Sequence, residues 1–288
     1  MHYRPRRSVL YMPATNERAI EKGKSLPADA IVFDLEDAVV PEQKVAARER
    51  LAEVIAAGGY GSREIVARCN GLDTPWGADD IMRLAAAGPD AILLPKVTTV
   101  AEVARASELI GASPAKPALW LMIETTRAIL AIADIARMAE APGTRLSCLV
   151  MGTNDLVKET RAELDADRSQ ALYWFSSTLA AARAYGLDVL DGVYNDFKDL
   201  DGFRRECLHG RRLGMDGKTL IHPSQIDTAN DIFSPSPSEI QWARQVVEHF
   251  RRPENSGSGA IQIEGRMVER LHLDVAERIL SRAGGTQN

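Results

Sequence analysis

Cysteine is scarce in this 288-residue chain: Cys69, Cys148 and Cys207 are far apart and odd in number, and no C-x-x-C pair occurs. That leaves no sequence signal for a zinc or dithiol redox site and suits a reduced, cytoplasmic protein. Two of the three lie in strand-like runs, where plain packing is the expected role. Positive charge is not in excess either. With a net charge of −5 and a pI of about 5.7, nothing points to nucleic acid as a partner. Local clusters such as Arg4, Arg6 and Arg7 remain available to a small anionic ligand. No apolar run approaches the ~20 residues that span a membrane. The run in MHYRPRRSVLYMP is too short for a secretory signal.

What the chain does have is a repeat of short apolar runs, most of them ending in a residue able to do chemistry. SVLYMP starts at Ser8, AIVFDLE at Ala30, EIVARCN at Glu64 and AILLPKV at Ala91. LWLMIET follows at Leu119, CLVMGTND at Cys148, LDVLDGV at Leu187 and KTLIHP at Lys218. Segments with helical apolar spacing lie between them. Strands that alternate with helices pair in parallel, because each strand is returned to the same edge by a crossover. Eight such units predict an α/β fold of the (β/α)8 TIM-barrel type, whose active sites are built at the carboxyl ends of the strands. Those ends supply Asp34, Glu36, Arg68, Asn70, Lys96, Glu124, Asn154, Asp155, Asp191 and His222.

The expected barrel occupies residues 1–252, closed by a helix over Glu239–Phe250. Residues 253–288 read as a flexible linker plus a C-terminal hairpin–helix lid or arm. RRPENSGSG is the linker, with proline followed by alternating serine and glycine. AIQIEGRMVE is the hairpin, with Glu264-Gly265 at its turn, and an amphipathic helix runs over Val268–Arg282.

Glu124 and Asp155 end consecutive strands, which are neighbours in a barrel, so their carboxylates can converge at its mouth. Two carboxylates with room for waters suit Mg2+; the structural alternative is that each merely caps the next helix. Asp34 and Glu36 lie two apart on an otherwise apolar strand and need partners or a polar cavity. Arg68 and Asn70 share that spacing. A planar guanidinium fork fits a carboxylate, which makes Arg68 a substrate clamp, an ion-pair partner of Asp34 or Glu36, or both. Lys96 would complete a positive wall or snorkel to water. His222, before a proline, is a general base or a residue that positions neighbours.

In order along the chain, RSVLYMP, AIVFDLEDAV, VARCN, LLPKV, MIET, MGTNDL, GKTLIHPSQI and GRMVER resemble the citrate lyase beta subunit and malyl-CoA lyase family of the HpcH/HpaI aldolase superfamily. The resemblance runs from Arg7 to about Leu280. It implies a (β/α)8 barrel, Mg2+ held by Glu124 and Asp155, and Arg68 on the carboxylate of a 2-oxo acid, with Asp34 and Glu36 close to the metal's water shell. It also implies that Arg18 and Lys22 meet the phosphates of coenzyme A, and that the chain forms a homotrimer or hexamer with its carboxy-terminal segment over an adjacent site. The implied reaction is Mg2+-dependent carbon–carbon cleavage, or formation, of a 3-hydroxyacyl-CoA such as malyl-CoA or citramalyl-CoA, giving acetyl-CoA and a 2-oxo acid. Two alternatives share the fold: a malyl-CoA-type thioesterase, and a citrate lyase beta-type subunit acting on a carrier-bound citryl group. The family's acid–base aspartate, in an M-[VI]-D motif, corresponds to Glu269 in Met267-Val268-Glu269. Glutamate keeps the carboxylate and adds one methylene, roughly 1.3–1.5 Å of reach.

Overall fold

The structure, a computed structural model, describes residues 4–285. Eight parallel strands close into a barrel in chain order. They are β1 (Ser8–Pro13), β2 (Ala30–Asp34), β3 (Glu64–Arg68) and β4 (Ala91–Leu94), then β5 (Ala118–Ile123), β6 (Leu146–Met151), β7 (Asp188–Asp191) and β8 (Gly217–Leu220). The barrel closes where β8 pairs with β1, Val9 opposite Thr219. The crossovers are helical and begin or end on the signals the chain carries. Thr99 and Glu102 form a capping box at the start of Val100–Gly111, and Asp199 accepts from the Gly202 N–H at the start of Leu200–Leu213. Gly88 and Gly214 end their helices at φ 81° and 103°, a backbone state that glycine adopts without steric cost. Among the described residues no helix is long and apolar enough to cross a membrane.

Alternate residues of each strand point inward and fill the barrel, Val32, Val66, Leu93, Trp120, Val150 and Leu190 among them. Cys148 belongs to this core, and all three cysteines are buried and free. Arg6 anchors the amino-terminal end of the barrel. Its guanidinium grips Glu64 at 2.8 Å, reaches Asp188 at 2.6 Å and lies 4.7 Å over the Trp120 ring. Between β7, β8 and the Leu200–Leu213 helix sits a buried charge cluster. Lys218 Nζ lies 3.1 Å from Asp191 and 2.6 Å from Glu206, and Arg168 donates to Asp191 at 2.8 Å.

The barrel with its crossovers is one compact unit, Arg6–Asn230. Residues from Asp231 onward belong to a second. There the Pro237–Arg251 helix packs Ala243, Val246, Val247 and Phe250 against Ile261, Ile263, Val268 and Ala276. These come from a hairpin of β9 (Ala260–Ile263) and β10 (Arg266–Glu269) and from the following helix, Arg270–Gly285. The contacts therefore divide the chain earlier than the break expected at 252. The apolar face of the helix expected to close the barrel is used by the tail. The hairpin turn falls at Glu264-Gly265, both at positive φ. The serine–glycine stretch is engaged rather than free: Arg270 donates to the carbonyls of Ser258 and Gly259, and Asn255 to that of His249.

Candidate active site

The inward alternation runs to the last paired residues of β2 and β3 and one residue beyond the ends of β5 and β6. Val32 leads to Asp34, Val66 to Arg68, Met122 to Glu124 and Val150 to Gly152, so the top layer of the barrel core is charged where the layers below are apolar. Above it opens a cavity of about 310 Å3. Asp34, Arg68, Glu124 and Asp155 form its charged wall, and Met122, Met151, Val193 and Ile221 its apolar one.

Asp34 and Arg68 are opposite each other in the β2–β3 register. Arg68 donates from Nε and Nη2 to the two oxygens of Asp34 at 2.7 and 2.6 Å, a bidentate pair that occupies one edge of the guanidinium. Its Nη1 lies 2.7 Å from Glu36 Oε2, and the Tyr11 ring lies 4.9 Å beneath it. The Glu36 contact is ionic without being a hydrogen bond, because Oε2 lies off the N–H directions and has no aligned donor. Burial pushes the Glu36 carboxyl up to about 8, with Glu124 and Asp37 adding to the shift and Arg68 opposing it. Lys44 fixes the backbone here by donating to the carbonyls of Leu35 and Glu36.

Glu124 is buried, and Gly152 on the adjacent strand end makes the room for it. A Cβ at position 152 would run into the Cβ of Glu124 and lie 2.7 Å from its Oε2. The Lys96 N–H donates to Glu124 Oε1 at 2.7 Å. Burial raises the Glu124 carboxyl to about 7 against the pull of Lys96, and Asp155 adds to the rise. Asp155, in the first turn of Thr153–Thr160, is half-buried and faces the same space. The Lys96 ammonium lies between these groups, 2.7 Å from Asp155, 3.6 Å from Glu124 and 3.8 Å from Glu36.

Among the described residues, Asp34, Glu36, Asp37, Glu124 and Asp155 thus face Arg68 and Lys96, a formal excess of three negative charges. That excess, the aligned partner missing at Glu36 Oε2 and a donor set made of carboxylate oxygens fit a small divalent cation. Among the described residues no three His, Cys, Asp or Glu side chains converge as a ready-made cage. A cation held by Glu124 and Asp155 would therefore complete its shell with water or substrate.

Other residues singled out in the sequence lie at the cavity's rim or elsewhere. Asn70 is buried but does not line the cavity: its backbone and side-chain N–H groups both donate to Asp80 Oδ2. Asn154 exchanges two hydrogen bonds with Asn195, at 3.2 and 2.9 Å, and the pair stands between the cavity and a neighbouring depression. Asp191 is turned outward from the barrel into the Lys218–Arg168 cluster. His222 stacks on Phe197 at 4.6 Å and accepts from the Ser224 N–H. Arg18 and Lys22 are exposed, one turn apart on the Glu17–Gly23 helix that follows β1. Glu269 ends β10 in the second unit, half-buried, with its N–H donated to His272. Tyr11, Lys44, Gly152 and Thr153 also line or support the cavity, although no motif in the sequence marks them. For Tyr11 the strand alternation is a signal, since it lies two residues beyond the inward-facing Val9.

The chain matches the family described as HpcH/HpaI aldolase/citrate lyase over residues 7–223. It is 46% identical to a (3S)-malyl-CoA thioesterase of Cereibacter sphaeroides over 279 residues, 97% of this chain and 95% of that protein. It is 34% identical to the citrate lyase subunit beta of Escherichia coli over 97% of this chain and 94% of that one. Among solved structures it resembles the protein CitE from Mycobacterium tuberculosis in complex with magnesium, acetoacetate and coenzyme A. The TM-score there is 0.77 and the identity 30%, covering 99% of this chain and all of that one.

Proposed function

Because the chain belongs to the HpcH/HpaI aldolase/citrate lyase family, we propose that it is a Mg2+-dependent enzyme acting on a 3-hydroxyacyl-CoA of the malyl-CoA type, and that its principal reaction is hydrolysis of the thioester. The observation that carries this reading is the carboxylate pair Glu124–Asp155 facing Arg68 across one cavity. Identity of 46% to a (3S)-malyl-CoA thioesterase over nearly the whole chain supports hydrolysis as the outcome. Cleavage of the carbon–carbon bond to acetyl-CoA and a 2-oxo acid is the second reading, favoured by the similarity to citrate lyase beta subunits. A citrate lyase beta-type role on a carrier-bound citryl group rests on that same similarity.

Glu124 and Asp155 would hold Mg2+. When bound, the ion supplies positive charge that polarises a substrate oxygen or acidifies a water. Asp34 holds the Nε–Nη2 edge of Arg68, which leaves the Nη1–Nη2 edge for the substrate carboxylate, shared with Glu36. Asp34 thus acts by orienting Arg68, and Lys44 by fixing the backbone that carries Glu36. Met122, Met151, Val193 and Ile221 would give the carbon skeleton an apolar wall. Arg18 and Lys22 would meet the phosphates of coenzyme A. Glu269 would be the acid–base group, taking a proton from the attacking water in hydrolysis or moving one at the thioester α-carbon in cleavage. A homotrimer or hexamer remains part of this reading.

The test is mass spectrometry of the products formed by the purified chain from (3S)-malyl-CoA, with and without Mg2+. Malate plus CoA, seen only with the ion, is the expected result. Acetyl-CoA plus glyoxylate would establish the second reading, and no product from malyl-CoA or citramalyl-CoA would overturn both.

A further inference from the structure

The position of the Lys96 side chain differs from that expected of a residue in a substrate-binding wall. Lys96 follows β4 at φ 54°, a left-handed backbone state that non-glycine residues seldom adopt. That turn gives its two polar ends separate tasks. The backbone N–H is spent on Glu124 Oε1. The side chain is half-buried, and its ammonium lies within 4 Å of Asp155, Glu124 and Glu36. It does not line the cavity above.

An ion bound to Asp155 Oδ1 at the roughly 2.1 Å of a magnesium–oxygen bond can be no farther than about 5 Å from this ammonium. At that range two positive centres repel strongly in a partly dry site. The ammonium and a divalent ion are therefore rivals for the same carboxylates. Lysine suits the part of the rival that yields: its charge is compact, its stem has four rotatable bonds, and a third of this side chain is open to solvent, which gives it a way out. Arg68 cannot yield in the same way, being held by two bonds to Asp34 and buried beside Tyr11.

We propose that Lys96 is a built-in counter-ion of the Glu124–Asp155 carboxylates, an internal competitor that leaves Asp155 and Glu124 when a divalent cation enters and so sets how tightly the enzyme holds its metal. The inference rests on the Glu124–Asp155 metal reading above and adds a residue that opposes binding. The orientation of Glu124 does not depend on the competitor, because the bond from the backbone N–H of residue 96 survives any side-chain substitution.

The experiment is calorimetric titration of Mg2+, and electron paramagnetic resonance titration of Mn2+, into the full-length chain and its Lys96→Met and Lys96→Arg variants at pH 8.5. Thermal melts establish that each variant is folded. Removing one positive charge at this range predicts tighter binding of both ions by Lys96→Met, by about ten-fold or more. Lys96→Arg keeps the charge and gains none of that affinity. Unchanged or weaker metal binding by a folded Lys96→Met overturns the proposal. If that variant also binds malyl-CoA more weakly at unchanged metal affinity, Lys96 is a substrate residue instead. If neither the natural chain nor the variants bind either ion, the metal reading itself fails and this proposal falls with it. Tight binding by the natural chain with no gain in Lys96→Met refutes the competitor alone.

Discussion

Substituting Gly152 by alanine adds one methyl group beside the most buried carboxylate of the site. Its Cβ would lie 2.7 Å from Glu124 Oε2, 3.1 Å from Met122 Cε and closer still to Glu124 Cβ. Ordinary carbon contacts lie near 3.5–4.0 Å, so Glu124 must retreat by about 1 Å. The backbone has little freedom to yield in its place. Gly152 donates to the Ile123 carbonyl at 3.0 Å, and the far carboxylate oxygen of Glu124 is held by the Lys96 N–H. A misplacement near 1 Å costs on the order of 10²-fold in rate, while overpacking a core by one methyl costs roughly 1–3 kcal/mol of stability. Gly152→Ala is therefore expected to stay folded, melt a few degrees lower, bind Mg2+ more weakly and turn over malyl-CoA about 100-fold more slowly. The control is Gly111→Ala, at the end of the Val100–Gly111 helix, where an added Cβ meets nothing within 4 Å. It should leave turnover alone and shift stability by at most about 1 kcal/mol. Native Mg2+ affinity and turnover in Gly152→Ala would refute the placement of Glu124 in the working site.

Asp155→Ala should abolish Mg2+-dependent turnover with little loss of melting temperature, since Asp155 is only half-buried; unchanged activity in a metal assay would remove it from the ligand set. Glu269→Gln should slow turnover by about 10²–10⁴-fold while Mg2+ titrations stay normal, and full activity would show that the acid–base group lies elsewhere. Lys218→Met leaves Asp191 and Glu206 without one of their two cations and should cost about 3–5 kcal/mol in urea unfolding. In the same cluster, burial would raise the Asp191 carboxyl, but Lys218 and Arg168 outweigh it and hold the group below the usual carboxylate range. A depressed folded value contributes stability that is present above about pH 3.9 and lost as pH falls through the lower folded value. Urea unfolding from pH 6 to 2 should therefore show acid destabilisation that is reduced in Asp191→Asn.

The barrel was legible because its signal is periodic and redundant. Eight runs of the right composition at a crossover spacing leave few topologies, and chain order alone makes Glu124 and Asp155 neighbours. The pairing of Arg68 with Asp34 was also within reach, as both end adjacent strands. Two-residue spacing misled at Asn70. The alternation holds only while the chain stays extended, and β3 ends at Arg68, after which Asn70 turns to Asp80. Lys96 was named as a strand-end residue, but the placement of its ammonium among Asp155, Glu124 and Glu36 was hidden for a different reason: a positive φ redirects a side chain and leaves no mark on composition. The Arg168–Asp191–Lys218–Glu206 cluster draws one member from a loop and one from a helix 38 residues further on, and no local pattern announces that such charges are buried together. The helix over Pro237–Arg251 shows the limit of amphipathicity. Its apolar face was evident, whereas the surface it covers had to come from the hairpin.

The charged layer that caps the barrel core has an evolutionary consequence. Asp34, Arg68 and Glu124 occupy positions whose counterparts one layer below are valine and methionine. Well-packed apolar side chains there would often match or exceed a buried ion pair in stability. Laboratory evolution of this chain for heat resistance alone should therefore accumulate apolar replacements in that layer early, yielding barrels that melt later and do nothing. Persistence of Asp34, Arg68 and Glu124 through such a selection would mean that these residues are retained for folding rather than for chemistry.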